Sequence, residues 1–237
     1  MTKAGTHWPE VARRQASWLF QEGKSGHVPP EIIQILSEHP SVQMGDVLLR
    51  AVNLQIPSAV KAMCNSLKQR NLVPEGLYAR CVNGDFHPDI TPIVLAAQFN
   101  DYQILTTLVE FGARIDDVDE FEFRTEKFTL EHSIGTIAVY SAISSQVYIA
   151  LTSEDPLMRA FELCSRLRVL SETHFEYRFH FEEMVTRCEK FTASLLSYLR
   201  NTEEQRIVFT HGTHDDFTGD FKEPLKVKAA IKYEQKQ

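Results

Sequence analysis

The stretch from Asp89 to Ile115 constrains this chain more than any other. It reads D-I-T-P-I-V-L-A-A-Q-F-N-D-Y-Q-I-L-T-T-L-V-E-F-G-A-R-I. Thr91 suits the N-cap of a helix whose first position is Pro92, where the missing N–H costs nothing. Leu95, Ala96 and Ala97 give a narrow face, and small residues there let a neighbouring helix approach closely. Asn100 falls where a tight turn wants a left-handed residue, which Asn tolerates. Ile104, Leu105, Leu108 and Val109 form the apolar stripe of a second helix. Gly112, followed by Ala113, then supplies a left-handed stop. Helix, tight turn, antiparallel helix and glycine stop follow one another with nothing between them.

These elements, in this order, resemble an ankyrin repeat, whose usual period is about 33 residues. One departure is Val94, where that repeat usually carries the His of its T-P-L-H motif. The turn therefore lacks one side-chain hydrogen bond. A single hairpin cannot bury its own apolar face, so neighbours are required. Upstream, Asp46–Asn53 and Ser58–Gln69 predict a helix pair resembling a degraded second copy. Pro57 marks the turn between them and Ser58 is the expected N-cap. Val60, Met63, Cys64 and Leu67 lie at helical spacing. Glu31–Glu38, after Pro29 and Pro30, predicts a further helix of the same array. Residues 27–118 are thus expected to be ankyrin-type repeats, preceded by an unassigned segment, residues 1–26.

Composition narrows the function classes. Lys and Arg number 25 against 32 Asp and Glu, a formal charge of −7 over 237 residues. An acidic chain is a poor general binder of nucleic acid, where affinity comes from neutralising phosphates. It is equally unlike a polybasic membrane-surface protein. The four cysteines, Cys64, Cys81, Cys164 and Cys188, form no C-x-x-C pair. Residues 1–26 mix charges without an apolar core and do not read as a signal peptide. Free thiols in a reducing cytosol are the expectation. From Ser133 to Ser153 no residue is charged, and a spanning helix needs about 20 predominantly apolar residues. Polar residues such as Ser141, Ser144, Ser145 and Gln146 interrupt this run, however. It is expected to form two short buried segments, Ile134–Ile143 and Val147–Leu151.

After Ile115 an acidic patch (Asp116, Asp117, Asp119, Glu120 and Glu122) reads as solvated, and residues 119–136 are expected to form an acidic linker. Further on, Ser153 or Asp155 is expected to cap a helix with Pro156 in its first turn. Met158, Phe161, Leu163, Leu167 and Leu170 supply its apolar positions. Phe175, Tyr177, Phe179 and Phe181 alternate with polar residues, which taken alone predicts a strand. Met184, Cys188, Phe191, Leu195 and Leu199 return to helical spacing, and Lys226–Gln237 reads as a last helix.

The later part of the chain resembles the cytosolic N-terminal region of the short transient receptor potential (TRPC-type) cation channels. Four passages carry the likeness. They are D-I-T-P-I-V-L-A-A at Asp89–Ala97 with G-A-R-I at Gly112–Ile115; Ile137–Pro156, ending in S-E-D-P at Ser153, Glu154, Asp155 and Pro156; Phe161–Glu204, with Cys188 and R-N-T-E-E at its end; and A-I-K-Y-E-Q-K at Ala230–Lys236. The resemblance implies helix, not strand, at Phe175–Phe181. It implies an all-α fold, with an ankyrin-type helical hairpin array followed by a bundle of linker helices over residues 137–237. It also implies a scaffold that couples to the gate of a Ca²⁺-permeable, non-selective channel on the cytosolic side of the plasma membrane. The implied partners are other channel subunits in a tetramer, and cytosolic regulatory proteins. The family commonly places H-x-x-x-C-x-C-x-x-C after its repeats, a set suited to tetrahedral zinc. Here Ile115–Ile137 holds no Cys and only His132, so no zinc is expected there. The chain also stops before any membrane helix, as a truncated form would, and such a form is expected to be soluble on its own.

Other chemistry fares worse. Gly23-Lys24-Ser25 lacks the earlier Gly of a phosphate loop, because Trp18 stands there. His211 to Asp216 (H-G-T-H-D-D) is the most metal-like cluster and would suit a metal-dependent hydrolase. A flexible polar loop bounded by Gly212 and Gly219 is the favoured reading, since no third ligand is identifiable. The same holds for Asp85-Phe86-His87-Pro88-Asp89, and His174 and His180 miss the i, i+4 spacing of paired ligands. No catalytic, metal-binding or cofactor-binding residue is therefore expected. A free ankyrin adaptor is the alternative to the channel reading, but an adaptor array should end in a polar capping repeat.

Overall fold

The computed structural model describes residues 45–78, 86–87, 89–116, 130–210, 226 and 230–231. The expected helix Glu31–Glu38, residues 1–26, the acidic patch beyond Asp116, the His211–Asp216 cluster and most of the tail after Lys226 lie outside them. Among the described residues the chain is all-α and contains no strand. Its contacts divide it into two compact units, Met1–Ile143 and Ser144–Gln237.

The first unit holds α1 (Gly45–Asn53), α2 (Pro57–Gln69), α3 (Pro92–Phe99), α4 (Tyr102–Glu110) and α5 (Leu130–Ile143). The helices pair as two hairpins, α1 with α2 and α3 with α4, and all four helices end in the same way. Gln55, Asn71, Asn100 and Gly112 follow them with φ of 53°, 54°, 55° and 93°. At each end a left-handed residue lets two N–H groups fold back onto carbonyls left over by the helix. After α1, Gln55 N donates to Val52 O and Ile56 N to Ala51 O. After α2, Asn71 N donates to Lys68 O and Leu72 N to Leu67 O. Asn100 and Asp101 repeat the arrangement on Ala97 and Ala96, and Gly112 and Ala113 repeat it on Val109 and Leu108.

The hairpins stack like on like. Helix α1 packs against α3 and α2 against α4, so Val47, Leu48, Leu49, Ala96 and Ala97 are all buried. The Lys68 ammonium sits 5.8 Å from the Phe111 ring centroid across the second pair. A 3-10 turn, Glu75–Tyr78, packs on α1 and α3, and the Tyr78 hydroxyl accepts from Arg114 N at 2.9 Å. Helix α5 lies against α3, where the Gln98 amide donates to Ala138 O at 3.1 Å. Gly135 is what lets α5 come close, since a Cβ there would collide with the Asp89 carboxylate.

Two cap expectations need correction. Ser58 does not cap α2: Pro57 is already the first helical residue and Ile56 precedes it without a side-chain bond. The ring presets φ one position earlier, and that fixes the start. Thr91 does hold the N-cap position of α3, but its buried hydroxyl bonds to nothing, so Pro92 alone defines that start. The working cap is at α4, where Asp101 Oδ1 accepts from Gln103 N at 2.9 Å and Ile104 N at 3.0 Å.

The second unit holds α6 (Gln146–Thr152), α7 (Pro156–Thr173), α8 (Arg178–Ser197) and α9 (Thr202–Thr210). Helices α7 and α8 form an antiparallel hairpin around the 3-10 turn Phe175–Tyr177. Leu157, Ala160, Leu163, Leu167 and Leu170 meet Phe181, Met184, Val185 and Phe191 in its core. Each large apolar side chain buried there contributes roughly 1.5–3 kcal/mol. Helix stands at Phe175–Phe181, as the resemblance implies, and the strand suggested by alternation alone is absent. Phe175 and Phe179 are 79% and 81% exposed while Phe181 is fully buried, so the alternation marks no face. Ahead of α9, Asn201 Oδ1 accepts from Glu204 N and Glu204 Oε2 accepts from Arg200 N, which gives R-N-T-E-E a helix-starting role.

Candidate functional site

Thr91, Pro92, Leu95, Ala96, Ala97, Gly112 and Ala113 lie in the first unit. There they act as helix start, close-packed face and helix stop. None presents a reacting group. Glu154, Asp155, Pro156 and Cys188 lie in the second unit: the first three form the start of the α7–α8 hairpin, and Cys188 is buried within α8.

That start is organised by one carboxylate. Asp155, not Ser153, caps α7, with Oδ1 accepting from Met158 N at 3.1 Å. Pro156 takes the first helical position and Glu154 stays exposed. The second oxygen, Asp155 Oδ2, pairs with Lys226 Nζ at 2.6 Å, and the two side chains are only 12% and 9% exposed. One group therefore starts a helix and holds a residue far along the chain. A lysine this buried is tolerable only with such a partner. Removing one member of a buried pair costs about 3–5 kcal/mol, because it strands the other charge. Nothing local in the sequence joins Asp155 to Lys226, and the pair was not legible there.

Cys188 is fully buried on α8, with Sγ 3.9 Å from Ser144 O. Its neighbour is Cys164 of α7, whose Sγ is 3.9 Å from Val185 O. The adjoining thiol and burial push Cys188 well above the usual thiol range. The Cys188 S–H draws Cys164 below that range, against the effect of its own burial. Outside the hairpin, burial pushes Cys64 up to about 12.

Among the described residues the other candidates gather no chemistry. His87 Nδ1 accepts from Asp89 N at 3.3 Å and lies 3.6 Å from Asp89 Oδ2, a local turn contact. Among the described residues no group of three His, Cys, Asp or Glu can hold a metal. Ile115–Ile137 has no thiol to contribute to a tetrahedral thiolate set, so the residues present do not fit the zinc of the resembling family. The uncharged run is split between α5 and α6, and Ser145 Oγ caps α6 by accepting from Tyr148 N at 3.4 Å. No single described helix is long and apolar enough to cross a membrane.

Residues 122–178 match the family model described as transient receptor ion channel II. The chain is also 32% identical over 218 residues to short transient receptor potential channel 4 of mouse, rat and human. That alignment covers 87% of this chain. The chain belongs to the short transient receptor potential channel family. It spans 22% of the length of these curated relatives. The family match includes the S-E-D-P turn, so within this short transient receptor potential sequence Asp155 carries both the cap of α7 and the ion pair to Lys226.

Proposed function

We propose that this chain is the cytosolic scaffold and gating-coupling region of a Ca²⁺-permeable, non-selective cation channel subunit. The observation that carries the reading is the 32% identity across 87% of the chain to a short transient receptor potential channel. The paired hairpins support an ankyrin-type array: both have left-handed ends, and like helices stack on like. The second unit supports a coupling role. Its α7 and α8 pack along a buried apolar core, and the Asp155–Lys226 pair ties a remote residue to the start of α7. The partners are other channel subunits, in a tetramer, together with cytosolic regulatory proteins.

Co-expression with full-length short transient receptor potential channel 4 tests the partnership. The chain should co-purify with the full-length subunit and be retained through size exclusion. A chain that elutes alone, folded by circular dichroism, would overturn it.

A further inference from the structure

We propose that Cys164 and Cys188 form a peroxide-sensitive dithiol that closes into a disulfide between α7 and α8. The two residues are free thiols on facing helices. Cys164 Sγ lies 3.9 Å from the carbonyl oxygen of Val185, and Cys188 follows Val185 by three residues on the same face of α8. The sulfur of α7 thus rests on the turn of α8 that carries the second sulfur. Both residues are buried, Cys188 at 0% and Cys164 at 5% exposure, an enclosure that suits a small oxidant and not a bulky thiol reagent.

The roles divide by environment. Cys164 is the more acidic thiol, helped by the Cys188 S–H and by Arg168 one turn further along α7, and opposed by burial and Glu189. The thiolate is the reacting form, so Cys164 is the nucleophile. Its sulfur attacks one oxygen of hydrogen peroxide, the O–O bond breaks, and hydroxide leaves with the electron pair. Cys164 is then a sulfenic acid. The Cys188 sulfur next attacks the Cys164 sulfur. The S–S bond forms, the S–O bond breaks, and the departing hydroxide takes the Cys188 proton as water. In sum, two thiols and one peroxide give one disulfide and two waters. The sulfurs are oxidised and the peroxide oxygens reduced. The product is a covalent tie across the hairpin, of the transient kind that a reducing cytosol allows for redox sensing.

The test exposes the folded chain to hydrogen peroxide, blocks remaining thiols in denaturant with N-ethylmaleimide, and maps the peptides by mass. The expected product is a Cys164–Cys188 linkage that dithiothreitol reverses. Free Cys164 should disappear at least about tenfold faster than free Cys64, whose protonated thiol serves as the internal control. Oxidation should raise the melting temperature of the wild type and leave that of Cys164→Ser unchanged. The idea fails if both cysteines remain alkylatable or if Cys164 proceeds to sulfinic acid without a linkage. It also fails if either sulfur links to another thiol, or if Cys64 is consumed equally fast. The wild-type map decides the matter even if Cys188→Ser does not fold.

Discussion

Asp155 separates two energies that usually travel together. Asn at this position keeps an N-cap acceptor and loses the charge, whereas Ala loses both. Asp155→Asn should therefore report the stranding of Lys226, about 3–5 kcal/mol for a buried pair. Asp155→Ala should cost roughly 1 kcal/mol more, the typical worth of a cap. Chemical denaturation of the two variants checks this, and equal loss in both would show that the cap contributes nothing. Cys64 makes a prediction in pH. Its thiol is raised from 9.0 to about 12 in the folded chain, so the unfolded chain ionises first as pH rises. Stability from this group is complete below pH 9 and is lost as pH climbs toward 12. Melting temperature should fall across that window, and Cys64→Ala, though destabilised throughout, should fall less steeply.

At the scale of elements, the four helix ends explain why the first hairpin is degraded in sequence yet intact in shape. A left-handed residue is needed at each, and only Gly112 is the residue that adopts it without penalty. Gly112→Val should cost at least about 1 kcal/mol, because a β-branched side chain opposes φ of 93°. Gln55 already bears such a penalty, so Gln55→Gly should stabilise by about 0.5 kcal/mol, the left-handed cost of about 1–2 kcal/mol less the entropy of an added glycine. Thermal melts of both variants test the assignment, and an unchanged melt for Gly112→Val would contradict it. Turns that use Asn and Gly were readable from residue type. The turn at Gln55 was not, because Gln carries no such signal and tertiary packing imposes the conformation. The cap at Ser58 was misjudged because Pro57 starts the helix one position earlier. The aromatic alternation at Phe175–Phe181 misled because it straddles a 3-10 turn and the first turn of α8, which share no common face.

At the scale of the molecule, sequence motifs carried the family and the all-α class, since helix starts, stops and apolar stripes are local. The energetic centres of the second unit were not legible in that way. Lys226 meets Asp155, and Cys164 meets Cys188, only after the chain has folded. The gating-coupling role proposed above would run through the Asp155–Lys226 tie, which fixes a remote residue to the start of α7. The direct measurement is whole-cell current from a chimera in which this chain replaces the matching segment of mouse short transient receptor potential channel 4. The chimera should carry a receptor-evoked cation current, and Asp155→Asn and Lys226→Met should each reduce that current severalfold at unchanged surface expression. A chimera that reaches the surface and conducts equally well with and without the ion pair would contradict it.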